Sequence, residues 1–226
     1  MGEKSVHSIL KQCYMPDPDK QEVPVGPFVA DILDGNAVTE IQTGHFEALR
    51  KKLSYYFALC HPVRIVCPVD CRTHIVWTDP QTGSVSDPRK SPRTGRPAEV
   101  LHELWQIRSF LTEPLLTIEI VMLNVTEYRV LDGWDRNRKK GCSKVDKIPQ
   151  SVEEIICLQT AADYRVFLPE DLPDPFTVAL YQKASGLRPR RAYSAVHVLE
   201  ELRLIEEVSE KAPGKRAKHY RRTNAF

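Results

Sequence analysis

Apolar positions gather in two short, strand-like runs, Phe28 to Leu33 and Ala37 to Gln42, on either side of Asp34-Gly35-Asn36. Strand-like runs separated by turn residues predict an antiparallel hairpin. Ahead of it, Val6, Ile9, Leu10, Cys13 and Tyr14 recur at helical spacing, which predicts a helix over residues 3–14. The proline-rich stretch from Met15 to Pro27 is a connection with room for a short strand near Glu22 to Val25. After Gly44, Phe46, Leu49, Leu53, Tyr56 or Phe57, and Cys60 share one helical face, with Arg50, Lys51 and Lys52 off it, and Pro62 ends the helix. Val63 to Val69 is apolar without alternation, as in a strand covered on both faces.

The pattern is looser further on. His74 to Thr78 is expected to pair with a run near Val85 across a turn at Gly83. Arg89 to Pro97, basic and proline-bearing, predicts no regular element. Pro97 to Ile107 predicts a helix, Leu115 to Leu131 one or two strands, and Gly133 to Lys147 a polar, basic loop containing Trp134. Ser151 to Gln159 and Ala161 to Leu168 predict helices, the first opened by a capping box of Ser151 and Glu154. The proline-rich segment Pro169 to Pro175 divides the chain into a domain over 1–168 and a smaller one over 169–226. In the second, helices over Thr177 to Ala184 and Pro189 to Arg203 precede strands near Leu204 to Val208 and Tyr220. That order predicts a winged helix-turn-helix.

Composition changes little. The chain has 226 residues, 42% of them hydrophobic and 27% charged, with a formal charge of +2, which suits a globular protein. It shows neither a membrane span nor a signal-peptide pattern, so a cytoplasmic location is expected. The six cysteines are scattered, which favours free thiols in a reducing compartment. Cys60, His61, Cys67, Cys71 and His74 have zinc-ligand chemistry. Cys67, however, lies within an apolar run and reads as a small core hydrophobe. Charge distribution is more telling than net charge, since Arg136 to Lys140 and Lys211 to Arg222 are basic clusters suited to phosphate backbones.

Chemistry concentrates on the hairpin. Closed at Gly35, it sets Asp31 roughly opposite Glu40, where the two carboxylates could share a cation. Glu40 and Gln42 share one face while Ile41 faces the other, leaving the Ile41 carbonyl as a third oxygen ligand. Hard oxygen ligands of this kind suit Mg²⁺ or Mn²⁺.

An Asp in one strand, a turn, and then Glu-x-Lys in the next is the motif of the PD-(D/E)xK, or restriction-endonuclease-like, nuclease superfamily. Here it reads Asp31 with Glu40-Ile41-Gln42, Gln standing in place of Lys, and the chain resembles that superfamily. The opening around Glu3-Lys4-Ser5, the Glu40-to-Gly44 hairpin, the Lys90-to-Pro97 loop and the terminal winged helix resemble an uncharacterised prokaryotic group within it. The resemblance implies an α/β fold, with a restriction-endonuclease-like core of mixed sheet flanked by helices, followed by a small winged helix-turn-helix domain. It also implies a metal-dependent nuclease in which Asp31, Glu40 and the Ile41 carbonyl hold Mg²⁺ (or Mn²⁺), and Gln42 and Glu3 assist catalysis.

The expected partner is nucleic acid, DNA before RNA, with a homodimer as the means of cutting two strands. Candidate contacts are Lys90, Arg93 and Arg96 in the basic loop, Arg188, Arg190, Arg191 and Tyr193 at the start of the second C-terminal helix, and Lys215, Arg216 and Lys218 on the wing. Two alternatives remain open: a non-catalytic DNA-binding regulator and a docking protein, each built on a nuclease-like fold.

Overall fold

A computed structural model describes residues 5–132, 141–208 and 217–223. The chain opens with helix α1 (Ser5–Tyr14), then strands β1 (Gln21–Val25), β2 (Phe28–Asp34) and β3 (Ala37–Ile41), helix α2 (Leu49–Ala58) and the long strand β4 (Val63–Thr78). Strand β5 (Arg89–Thr94), helix α3 (Leu101–Leu104) with flanking 3-10 turns, and strands β6 (Leu116–Val130) and β7 (Ser143–Leu158) complete the larger part. Beyond a 3-10 turn over Ala161–Phe167 come β8 (Phe176–Thr177), α4 (Val178–Ser185), α5 (Pro189–Glu201), β9 (Ile205–Glu207) and β10 (His219–Arg222).

The β2–β3 loop is two residues long, because Asp34 pairs with Ala37. Gly35 takes its first position with φ of 61°, a conformation glycine adopts at little steric cost. Strand order in the large sheet is β1-β2-β3-β4-β6-β7, with β5 on the outer part of β4. The first three strands are antiparallel, β3 runs parallel to β4 and β4 parallel to β6, and β7 returns antiparallel. A parallel pair needs a crossover, and α2 supplies it between β3 and β4.

Each face of the sheet has its own apolar layer. Val6 and Leu10 of α1 pack on Ile41, Val66, Val121, Leu123 and Val125. On the opposite face, Leu49, Leu53 and Tyr56 of α2 join Leu101 and Leu104 of α3 over Val38, Ile65 and Ile118. That second core continues into Tyr181, Val196, Leu199 and Tyr220, so it runs without a break through residue 169. Polar ties cross there as well: His102 Nδ1 lies 2.9 Å from Ser194 Oγ, Arg96 Nη1 donates to the Ser185 carbonyl at 2.9 Å, and Tyr181 OH donates to the Phe167 carbonyl at 3.0 Å. The C-terminal part is two helices against a three-stranded antiparallel sheet, order β8-β10-β9. Among the described residues no helix is long and apolar enough to cross a membrane.

Three expectations are corrected, the first being Ser143 to Lys147, the end of the expected basic loop, which is already strand β7. Residues 151–158 are strand rather than helix, belonging to β7, which pairs with β6 from Ser143 to Leu158. The capping box sits instead at Thr160 and Asp163, opening the next 3-10 turn. Arg89 to Thr94 is also regular, an edge strand on β4 whose Pro92 is tolerated because one side of the strand has no partner.

Candidate functional site

In the β2–β3 register, Ile32 lies opposite Thr39 and Leu33 opposite Val38, so the next pair outward would be Asp31 with Glu40. Ladder pairing stops before it. Asp31 instead accepts a hydrogen bond through Oδ2 from the Ile41 amide at 2.7 Å, and the same oxygen lies 3.1 Å from His7 Nε2 on α1. In an extended strand a residue's N–H and C=O point to one side, so the Ile41 carbonyl also faces the Asp31 strand.

Glu40 is 2% exposed, and it is not alone. The Lys52 ammonium lies 2.9 and 2.8 Å from its two carboxylate oxygens, and Tyr56 OH donates to Oε1 at 3.2 Å. Lys52 also donates to the Val29 carbonyl at 2.8 Å, which fixes its position over the hairpin. Lys52 and Tyr56 are four residues apart on α2 and therefore lie one above the other on a helix face. The fold thus places a lysine of α2 on Glu40.

The carboxylates differ in acidity. Burial pushes the Glu40 carboxyl up to about 7, helped by the nearby charge of Asp31 and opposed by Lys52 and Tyr56. Burial acts on Asp31 as well, but the bonds from His7 and the Ile41 amide outweigh it and hold Asp31 below the usual carboxylate range. One acid is set to stay ionised and its neighbour to titrate near neutrality.

Not every expected site residue joins them. Gln42 is turned away, its amide donating to the Gly44 carbonyl and lying 3.5 Å from that of His45. It lines instead a cleft of about 890 Å³ bordered by Cys67, Asp70, Glu99, Glu103 and Lys147. Glu3, Lys215 and Arg216 lie outside the described residues, as do Trp134 and the Arg136 to Lys140 cluster. His7, Lys52 and Tyr56 belong to the site although the motif does not mark them. The one sequence signal for Lys52 and Tyr56 was their four-residue spacing.

The expected nucleic-acid contacts divide into two sets. Arg93 at 2.5 Å and Arg191 both pair with Glu99, Arg96 is bonded to the end of α4, and Lys218 pairs with Glu207 at 2.6 Å. Lys90, Arg188, Arg190 and Tyr193 are exposed. Of the cysteine and histidine group, Cys67 is buried and Cys60 exposed. Among the described residues no three His, Cys, Asp or Glu side chains converge as a metal site.

The chain is 30% identical over 168 residues to an uncharacterized protein of Treponema pallidum (strain Nichols). The match takes in 72% of this chain and 62% of that one, so the chain spans under two thirds of its relative's length. No solved structure matches. Residues 4–159, from α1 to the end of β7, match the family described as Domain of unknown function (DUF8091), and the chain belongs to that family.

Proposed function

We propose that the chain is a metal-dependent nuclease of the PD-(D/E)xK kind. The observation that carries this reading is the placing of Asp31 and Glu40 at facing positions of neighbouring strands, one step beyond the last ladder pair, with the Lys52 ammonium 2.8 Å from Glu40. Two carboxylates, a backbone carbonyl and a lysine are the groups that phosphodiester hydrolysis uses. The order of elements, a helix, three antiparallel strands, a crossover helix and a parallel strand, supports the same reading.

Asp31, Glu40 and the Ile41 carbonyl are the donors that would hold Mg²⁺ or Mn²⁺, which when bound polarises a phosphate and acidifies water. His7 holds Asp31 in one orientation. Lys52 supplies the positive charge that Gln42 cannot, and with 24% of its side chain exposed it can exchange Glu40 for a phosphate oxygen. The C-terminal helices and sheet serve in this reading as a winged helix-turn-helix presenting Arg188, Arg190 and Tyr193 to DNA. A homodimer would bring a second site to the opposite strand. The free cysteines suit the cytoplasm.

Mn²⁺ titrated calorimetrically into wild type and Asp31→Asn tests the site without a guess about substrate. Saturable binding lost in the variant, together with Mn²⁺-dependent cleavage of plasmid DNA that falls by about a hundredfold or more, is expected. Cleavage equal to wild type in folded Asp31→Asn and Glu40→Gln would overturn the assignment. One observation favours a second reading, a DNA-binding regulator without catalysis: both Glu40 oxygens are already occupied by Lys52. In that case duplex binding persists and no Mn²⁺ binds.

A further inference from the structure

At the end of the sheet far from the hairpin, strand register lines up a row of side chains. Trp77 on β4 lies opposite Arg129 on β6, and Arg129 opposite Lys144 on β7. Two residues earlier on β4, Ile75 lies between Arg89 on β5 and Glu127 on β6. Residues opposite one another in a ladder share a face, so the Trp77 ring shares its face with Arg89, Arg129 and Lys144, while Lys90, opposite His74, comes from the other face of the edge strand and lines the same cavity.

Glu127, buried, holds Arg129 at 2.5 Å and Lys144 at 3.0 Å. Arg129 in turn lies over the Trp77 ring, 5.1 Å from its centre. A cavity of about 640 Å³ opens beside the ring, lined by Ile75, Arg89, Lys90 and Arg129. Arg89 and Lys90 are exposed, and among the described residues no acid pairs with either. Edge strands carry cations to deter pairing with other chains, which accounts for Arg89 and Lys90 alone. It accounts neither for a half-buried tryptophan at the wall of an open cavity nor for an arginine oriented by a buried acid.

We propose that this end of the sheet is a subsite for one nucleotide of an unpaired strand, with the base stacked against Trp77 and the phosphate held by Arg89 and Lys90. The proposal rests on the nuclease reading for its substrate class. Cations beside an aromatic platform are the usual means of holding single strands, because every base has a π-face and every nucleotide a phosphate. A paired base is stacked on both sides and cannot enter. Glu127, which orients Arg129 at the subsite, also lines the cleft that Gln42 borders. From Val66, the partner of Ile41, to Trp77 the strand covers about 35 Å.

The test is fluorescence anisotropy of a labelled oligodeoxythymidylate in EDTA, with a blunt duplex of equal length and thymidine monophosphate as further arms. Trp77→Ala is expected to weaken binding of the single strand about tenfold or more, and Trp77→Phe to restore most of it. Arg89→Ala with Lys90→Ala should lower affinity and reduce the salt slope by about one to two. The duplex should respond little to Trp77→Ala. Single-strand affinity unchanged in Trp77→Ala would overturn the proposal. So would loss of thymidine monophosphate binding alone, which would mark a free-nucleotide site. Since no metal is present, a failed cleavage assay leaves this result standing, and an unchanged affinity here leaves the Asp31 and Glu40 assignment standing.

Discussion

Lys52 neutralises Glu40 across the gap between helix α2 and strand β3, its ammonium within 2.9 Å of both carboxylate oxygens. The carboxylate is almost wholly buried, so removing the lysine alone leaves a charge with neither water nor counter-ion. Lys52→Met should therefore cost about 3 kcal/mol at around pH 8. Adding Glu40→Gln should recover most of that loss, and urea unfolding of the two single variants and the double variant measures the coupling.

Glu40 also makes stability depend on pH. Its folded value of about 7 lies above the ordinary 4.5, so the folded chain binds the proton more tightly than the unfolded one. The stabilisation is fully present below about 4.5 and is lost as pH rises through about 7, by roughly 3 kcal/mol in all. Asp31, held below the ordinary range, contributes in the opposite sense and loses its contribution only in acid. Denaturation midpoints of wild type should fall between those two pH values, and the slope should flatten in Glu40→Gln.

Cation affinity follows from the same titration. Protons and Mn²⁺ compete for Glu40, so Mn²⁺ should bind more tightly as pH rises through about 7 and release a proton on binding below it. Calorimetry in buffers of different ionisation enthalpy counts that proton.

Glu99 holds both Arg93 and Arg191, two of the cations expected to meet nucleic acid. Glu99→Ala frees them. Affinity for duplex DNA at low salt should rise, with a steeper salt dependence by about one to two, as read by anisotropy. Unchanged affinity would place both arginines outside the contact surface.

Gly186 ends α4 with φ of 67° and has the Arg96 guanidinium against its α-carbon. A methyl group there meets both an unfavourable backbone and the arginine. Gly186→Ala should cost about 1 kcal/mol or more, measured by thermal unfolding.

The hairpin was legible because two short apolar runs flank a turn that carries glycine. Strand β7 was not, for a reason visible in its register. Val145, Gln150 and Glu153 are passed over in the pairing with β6, and each extra residue shifts the alternation by one. Val152, Ile155 and Ile156 therefore fall at helical spacing, and Val152 and Ile155 are more than half exposed. The sequence of β5 hides a strand for another reason, since an edge strand of Arg, Lys, Ser and Pro has no apolar face to show. In the candidate site, the closeness of Asp31 and Glu40 follows from the turn at Gly35. The cation on Glu40 comes from another element, and only packing of α2 on β3 reveals it.

The unbroken core through residue 169 bears on how the chain comes apart. Tyr181, Val196 and Leu199 share their burial with Leu101 and Leu104, so neither part can lose its packing while the other keeps its own. Heating should give a single melting transition. A gene fragment cut at residue 169 should yield two pieces with exposed apolar surface that recover their shape only when mixed.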